Sequence, residues 1–97
     1  MNFNERCYEI LKKVPRGKVT TYKEIARALR SKAYRAVGNA MNKNPHAPKV
    51  PCHRVIKSDS SVGGFASGTR KKAEMLRKEG IEIVKGKINL DKYLHNF

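Results

Sequence analysis

Carboxylates are scarce in this sequence: 8 Asp and Glu stand against 22 Lys and Arg, for a formal net charge of +14. From Ile25 to Ser58 there are none, yet that stretch carries Arg27, Arg30, Lys32, Arg35, Lys43, Lys49, Arg54 and Lys57. Solubility does not require emptying one region of acid, so the pattern points to a polyanion-binding face; a merely solvated surface is the plainer alternative. Tryptophan is absent and cysteine is limited to Cys7 and Cys52. That excludes the disulfide-dense scaffolds of small secreted domains and leaves two thiols expected to be free. No apolar run approaches membrane-spanning length, and Met1-Asn2-Phe3-Asn4-Glu5-Arg6 carries no apolar signal stretch, so no membrane partner and an intracellular location are expected. The 97 residues make room for a single domain over 1–97 and none for a separate cofactor domain, and 39% hydrophobic content suffices for a core.

The first helix is predicted from Phe3 to Lys13, with Phe3, Cys7, Ile10, Leu11 and Val14 on one face, Asn2 and Glu5 as a capping pair, and Pro15-Arg16-Gly17 as the stop. Cys7 lies on that stripe and reads as packing. An extended piece, Lys18-Val19-Thr20, precedes a second helix capped by Thr21 and Glu24 that ends near Arg30, with Tyr22, Ile25, Ala26 and Leu29 inward. A tight break leads to a third helix from Lys32 to Lys43, with Ala33, Val37, Ala40 and Met41 inward and Lys32, Arg35, Gly38, Asn39, Asn42 and Lys43 outward. Two short helices across a tight turn, the second basic and rich in small residues, read as helix-turn-helix, although any helical hairpin looks similar. Pro45, Pro48 and Pro51 make the following connection stiff and extended. Val55-Ile56 begins a strand, and the polar turn and glycine-rich loop through Gly68 suggest a hairpin or wing. Thr69 is placed to cap a last main helix to Glu79, with Gly80 as its stop. The fold class is therefore mainly α with a small β wing, a winged helix-turn-helix DNA-binding domain.

Cys52 sits in Pro51-Cys52-His53-Arg54-Val55. A thiolate nucleophile needs a base or a positive field, and His53 and Arg54 stand next in the chain, but adjacency alone proves no hydrogen bond. A carboxylate should orient the imidazole, and Glu79 and Glu74 are the candidates. A buried structural thiol is the alternative for Cys52. A zinc site from Cys7, His46, Cys52, His53 and His95 matches no recognised ligand spacing, so neither metal nor cofactor is expected.

Pro51-Cys52-His53-Arg54-Val55 resembles the active-site signature of the O6-alkylguanine-DNA alkyltransferases. The agreement continues in order through Thr21-Tyr22 with Ile25-Ala26, Arg35-Ala36-Val37-Gly38 with Ala40-Met41, Asn44-Pro45, Val62-Gly63-Gly64-Phe65 and Glu79-Gly80, from about Phe3 to Ile83. The resemblance implies double-stranded DNA containing O6-alkylguanine as the partner, bound by a monomer through the minor groove, and a cytoplasmic, nucleoid-associated location. It assigns DNA contacts to Tyr22, Arg35, Ala36, Gly38, Thr21 and Tyr34. Arg35 would enter the base stack, Tyr22 would crowd the adjoining phosphate, and Ala36 and Gly38 would let the helix approach the groove floor. Tyr34 stands where the family often has a smaller residue.

Catalysis would fall to Cys52 as nucleophile, His53 as base through a water, Glu79 orienting His53, and Asn44 tying the active-site loop to the recognition helix. Val55, Phe65, Ala66 and Met41 would form the substrate pocket, with the Cys52 and Val55 carbonyls reading the guanine amino group and the Ala66 amide facing the alkylated oxygen. The alkyl group would pass irreversibly to Cys52, one turnover per molecule. Two departures stand out: Phe65 replaces the usual tyrosine, and Ser67 a common glycine. The family's usual N-terminal domain is also expected to be absent, so in length the chain is similar to the alkyltransferase-like proteins, which sense lesions without chemistry and typically carry tryptophan in place of the cysteine.

Overall fold

A computed structural model describes residues 1–47, 49–63 and 68–97. Its elements run α1 (Phe3–Leu11), β1 (Thr20–Thr21), α2 (Tyr22–Ala28), α3 (Tyr34–Asn42), a 3-10 turn (Cys52–Arg54), β2 (Val55–Ile56), α4 (Thr69–Lys78) and α5 (Leu90–Tyr93). It is a mainly helical domain with a small parallel sheet, consistent with a winged helix-turn-helix.

The caps read from the sequence set the first two helices. The Asn2 side chain accepts from the Glu5 amide and Glu5 reaches back to the Asn2 amide, a complete capping box. Thr21 Oγ1 accepts from the Glu24 amide. The third helix starts two residues later than expected: Ala33 is its exposed N-cap rather than an inward residue, while Val37, Ala40 and Met41 are buried as expected. Gly68, not Thr69, occupies the N-cap of α4, and Gly80 ends that helix with φ +87°.

β1 and β2 pair in parallel with Thr20 opposite Val55 and Thr21 opposite Ile56. Alternation across this ribbon divides two cores. Val55 joins Cys7, Leu11, Val14, Ile25, Val37 and Ala40 in the cluster under α1, α2 and α3. Ile56 joins Val19, Val62, Leu76, Ile81, Ile88 and Tyr93 in the cluster under α4 and the tail. The tail also lines the free edge of the first strand: the Val19 amide donates to the Tyr93 carbonyl and the His95 amide to the Val19 carbonyl, a parallel bridge between Val19 and Leu94. The expected hairpin after Ile56 takes a different form. Lys57 to Ser61 closes a tight turn, and Ser61 pairs antiparallel with Lys87 from the turn at Lys85-Gly86.

The connection after α3 is coiled, not extended. Val50 donates its amide to the His46 carbonyl at 3.0 Å, and the Cys52 amide donates to the Val50 carbonyl at 2.8 Å across Pro51, whose φ of −82° and ψ of 69° are those of an inverse γ-turn. Proline favours this by presetting φ.

Candidate active site

The coiled backbone at Cys52–Arg54 places three neighbouring side chains on different sides of a 3-10 turn, not on the alternating faces of a strand. Cys52 is half-buried against the first core, which contains Met41 and Val55. His53 is buried, and its Nε2 lies 3.0 Å from Glu79 Oε2. Arg54 grips the same carboxylate with both prongs, Nε to Oε1 at 2.9 Å and Nη2 to Oε2 at 2.6 Å, and gives Nη1 to the Val14 carbonyl at 2.9 Å. A carboxylate only accepts hydrogen bonds, so the proton between His53 and Glu79 belongs to Nε2, which leaves Nδ1 as the acceptor and base. Glu74 is not the partner; it pairs with Arg70 along the exposed face of α4.

The electrostatics follow from that triad. Burial would raise the Glu79 carboxyl, but hydrogen bonds from Arg54 and His53 outweigh it and hold the group below its ordinary value. Burial lowers His53, against the opposing pull of Glu79 and with help from Arg54 and Lys72, so the imidazole is neutral near pH 7. If His53 is the base, transfer keeps its rate as pH falls to 6.5, the ordinary histidine value, and drops only below it. Single-turnover rates between pH 5 and 8 check this; an acidic limb above pH 6.5 would contradict it.

Two residues here were passed over in the sequence. Arg54 was read only as positive charge, whereas it is the structural clamp on Glu79. Lys72 is 0% exposed and packs under α4, where positions 72, 76 and 79 fall on one inward face. Burial lowers its ammonium from 10.5 to about 8, with Cys52 acting in the opposite sense. A lysine at the helical spacing where Leu76 demands an apolar neighbour was the available signal.

Asn44 spans the loop that delivers Cys52: its Nδ2 donates to the Val50 carbonyl at 2.8 Å while its Oδ1 accepts from the His46 amide at 2.9 Å. Lys43 is the C-cap of α3. The remaining expected residues divide by exposure. Arg35 and Tyr34 stand out from α3, Ala36 and Gly38 are half-buried, and nothing lies within 4 Å of where a Gly38 Cβ would be. Tyr22 packs against the same core as Cys52. Thr21 is buried, with its hydroxyl committed to capping. Phe65 and Ala66, with Gly64 and Ser67, lie outside the described residues. Among the described residues no group of three or more His, Cys, Asp or Glu could hold a metal, and no helix is long and apolar enough to cross a membrane.

Residues 2–81 match the family described as the DNA-binding domain of 6-O-methylguanine DNA methyltransferase. The chain belongs to that family. Over 82 residues it is 44% identical to the methylated-DNA–protein-cysteine methyltransferase of Sulfolobus acidocaldarius, covering 84% of this chain and 52% of that protein. Over 90 residues it is 43% identical to a bifunctional methyltransferase/endonuclease of Picrophilus torridus, covering 92% of this chain and 30% of the relative. The family domain thus spans about half or less of these relatives' lengths. Among solved structures it resembles S. pombe Atl1 bound to damaged DNA containing O6-carboxymethylguanine, with a TM-score of 0.88 and 33% identity over 98% of this chain and 95% of that one. It is therefore a DNA-repair alkyltransferase-type domain.

Proposed function

We propose that this domain binds duplex DNA, draws an O6-alkylguanine out of the stack and transfers its alkyl group to Cys52. Extrusion is required because the alkylated oxygen is out of reach inside the duplex. Arg35 on exposed α3 takes the vacated place in the stack, with Tyr22 beside the flipped nucleotide. His53 accepts the Cys52 proton at Nδ1 through a water, and Glu79 holds the imidazole in that tautomer. The sulfur then forms a bond to the alkyl carbon as the bond from that carbon to O6 breaks. Guanine leaves as the displaced anion and takes up a proton. The thioether has no route back, so each molecule acts once.

The single observation that carries this reading is the half-buried Cys52 next in the chain to a buried His53 braced by Glu79, which Arg54 clamps. The test is the intact mass of the protein after incubation with a duplex carrying one O6-methylguanine. A gain of one methyl group, mapped to the peptide with Cys52, is expected at a stoichiometry of one. An unmodified protein that still holds the lesion tightly would favour a second reading, a sensor without chemistry. The likeness to Atl1 over nearly the whole of both chains supports that alternative, and the cysteine at 52 counts against it.

A further inference from the structure

Tyr8 is no member of the inward stripe expected of α1, yet it is buried, with 7% of its surface exposed. Its hydroxyl donates to the Ala40 carbonyl on α3 at 2.8 Å, across 32 positions of the chain. Its ring meets that of His46 edge-on, with centroids 6.2 Å apart and planes at 82°. Cys52 packs against the core cluster to which Tyr8 belongs. We propose that Tyr8 is a positioning residue: it holds the end of α3 and the loop that follows in one register, and so sets where the Cys52 sulfur stands relative to α3.

The Ala40 carbonyl lies in the last turn of α3, where a helix leaves its acceptors without intrahelical donors. The Asn44 amide, four residues on, turns instead to the Met41 carbonyl at 3.3 Å. A buried carbonyl left without a donor is destabilising, and Ala40 is fully buried. The donor comes from α1, so the phenol caps α3 from outside that helix. Burial first, then Cys7 and Cys52, raise the phenol above its ordinary value, so it keeps the proton the bond uses. A tyrosine that served only as core would need its ring alone.

From that cap the path to the sulfur is short. Lys43 closes α3, and the Asn44 side chain bridges the His46 amide and the Val50 carbonyl. The His46 carbonyl accepts the Val50 amide, and the Val50 carbonyl accepts the Cys52 amide. A cavity of about 120 Å³ opens between α1 and this loop, with Tyr8, His46 and Val50 among its walls. The loop is therefore not pressed onto α1 along its length. The edge contact with Tyr8 props it at His46, and the hydroxyl bond to Ala40 fixes the ring that does so.

The inference rests on the proposed function for its transfer assay, while a second readout needs no DNA. Tyr8→Phe keeps the ring and removes the cap. His46→Ala removes the edge contact, keeps the cap and alters an exposed residue, so it tests the same prop without touching the core. On a duplex carrying O6-methylguanine, Tyr8→Phe should lower the saturating single-turnover rate about tenfold, with the half-saturating duplex concentration within about twofold of wild type. Iodoacetamide, which needs no alignment with α3, should alkylate Cys52 at the wild-type rate. Without DNA, hydrogen exchange at the Val50 and Cys52 amides should quicken about tenfold while the amides of α4 keep their protection. His46→Ala should give about threefold on both measures, and the double variant should match Tyr8→Phe alone, because a loosened ring no longer props the loop. Unchanged exchange and transfer, additive effects of the two substitutions, or faster exchange spread evenly over the chain would overturn the proposal. If exchange quickens as expected while even the wild type forms no adduct, the positioning stands and the transfer reading falls.

Discussion

Replacing Glu79 by alanine is expected to cost the fold about 3–5 kcal/mol and to slow alkyl transfer at least about 100-fold. Glu79 is 9% exposed and answers two donors at once, the His53 imidazole and the two-pronged Arg54 guanidinium, itself 16% exposed. Removing it strands a buried cation, which costs far more than losing a surface ion pair. It also frees the imidazole to turn or to protonate on the wrong nitrogen. Glu79→Gln separates the two effects: the amide oxygen still accepts from His53, but the charge that answers Arg54 is gone. Urea unfolding and single-turnover transfer on the same preparations check both. A melting curve unchanged by Glu79→Ala would disprove the clamp. The sign with pH is fixed by the lowered carboxyl. Its contribution is complete above the ordinary value of 4.5 and is lost as pH falls through the lower folded value, so acid unfolding of the wild type should begin below pH 4.5.

Lys72→Met should slow the chemistry and abolish a rise in stability at alkaline pH. Burial lowers the folded ammonium to about 8 against 10.5 when unfolded. Below pH 8 both states carry the proton, so the group adds no pH dependence there. Between pH 8 and 10.5 the unfolded chain binds more protons, so wild-type stability rises across that window, by about 3 kcal/mol at most. Methionine has a similar length and no titrating group, so that rise across pH 8 to 10.5 should be missing from the variant. Its transfer rate at pH 7 should drop about tenfold, because the Cys52 anion loses a neighbouring cation. The rate–pH profile should shift to higher pH, since Lys72 also lowers His53. Alkylation of Cys52 by iodoacetamide gives the same readout without DNA, and fully buried Cys7 does not compete. A variant with the wild-type profile would remove Lys72 from the chemistry.

These two residues also mark the reach of the sequence. Local signals were legible: the Asn2–Glu5 box, the Thr21 cap and the inward faces of α1 and α2 follow from spacing and appear where expected. Long-range geometry was not. Nothing near Val55 announces a parallel partner at Thr20, because pairing between distant strands depends on the packing of everything between. Prolines at 45 and 51 suggested extension, but hydrogen bonds to His46 and Val50 coiled the loop instead. Arg54 looked like surface charge because a lone sequence does not display the carboxylate waiting 25 residues away. Lys72 stands one helical turn before the buried Leu76, where an apolar residue is expected, and that breach was the clearest missed sign.

The Val19–Leu94 bridge has a bearing on how the chain is made. The helices α1, α2 and α3 close on one another through contacts within the first half of the sequence. Thr20 and Thr21, the strand leading into Tyr22, gain a sheet partner only after Val55 and Ile56 emerge from the ribosome. The other edge stays open until Leu94 follows. Distant pairings of this kind form late, because loop closure must be overcome before the contact rewards it. During synthesis, therefore, the helical half is assembled first, and the edge beneath Tyr22 is sealed later, by the tail.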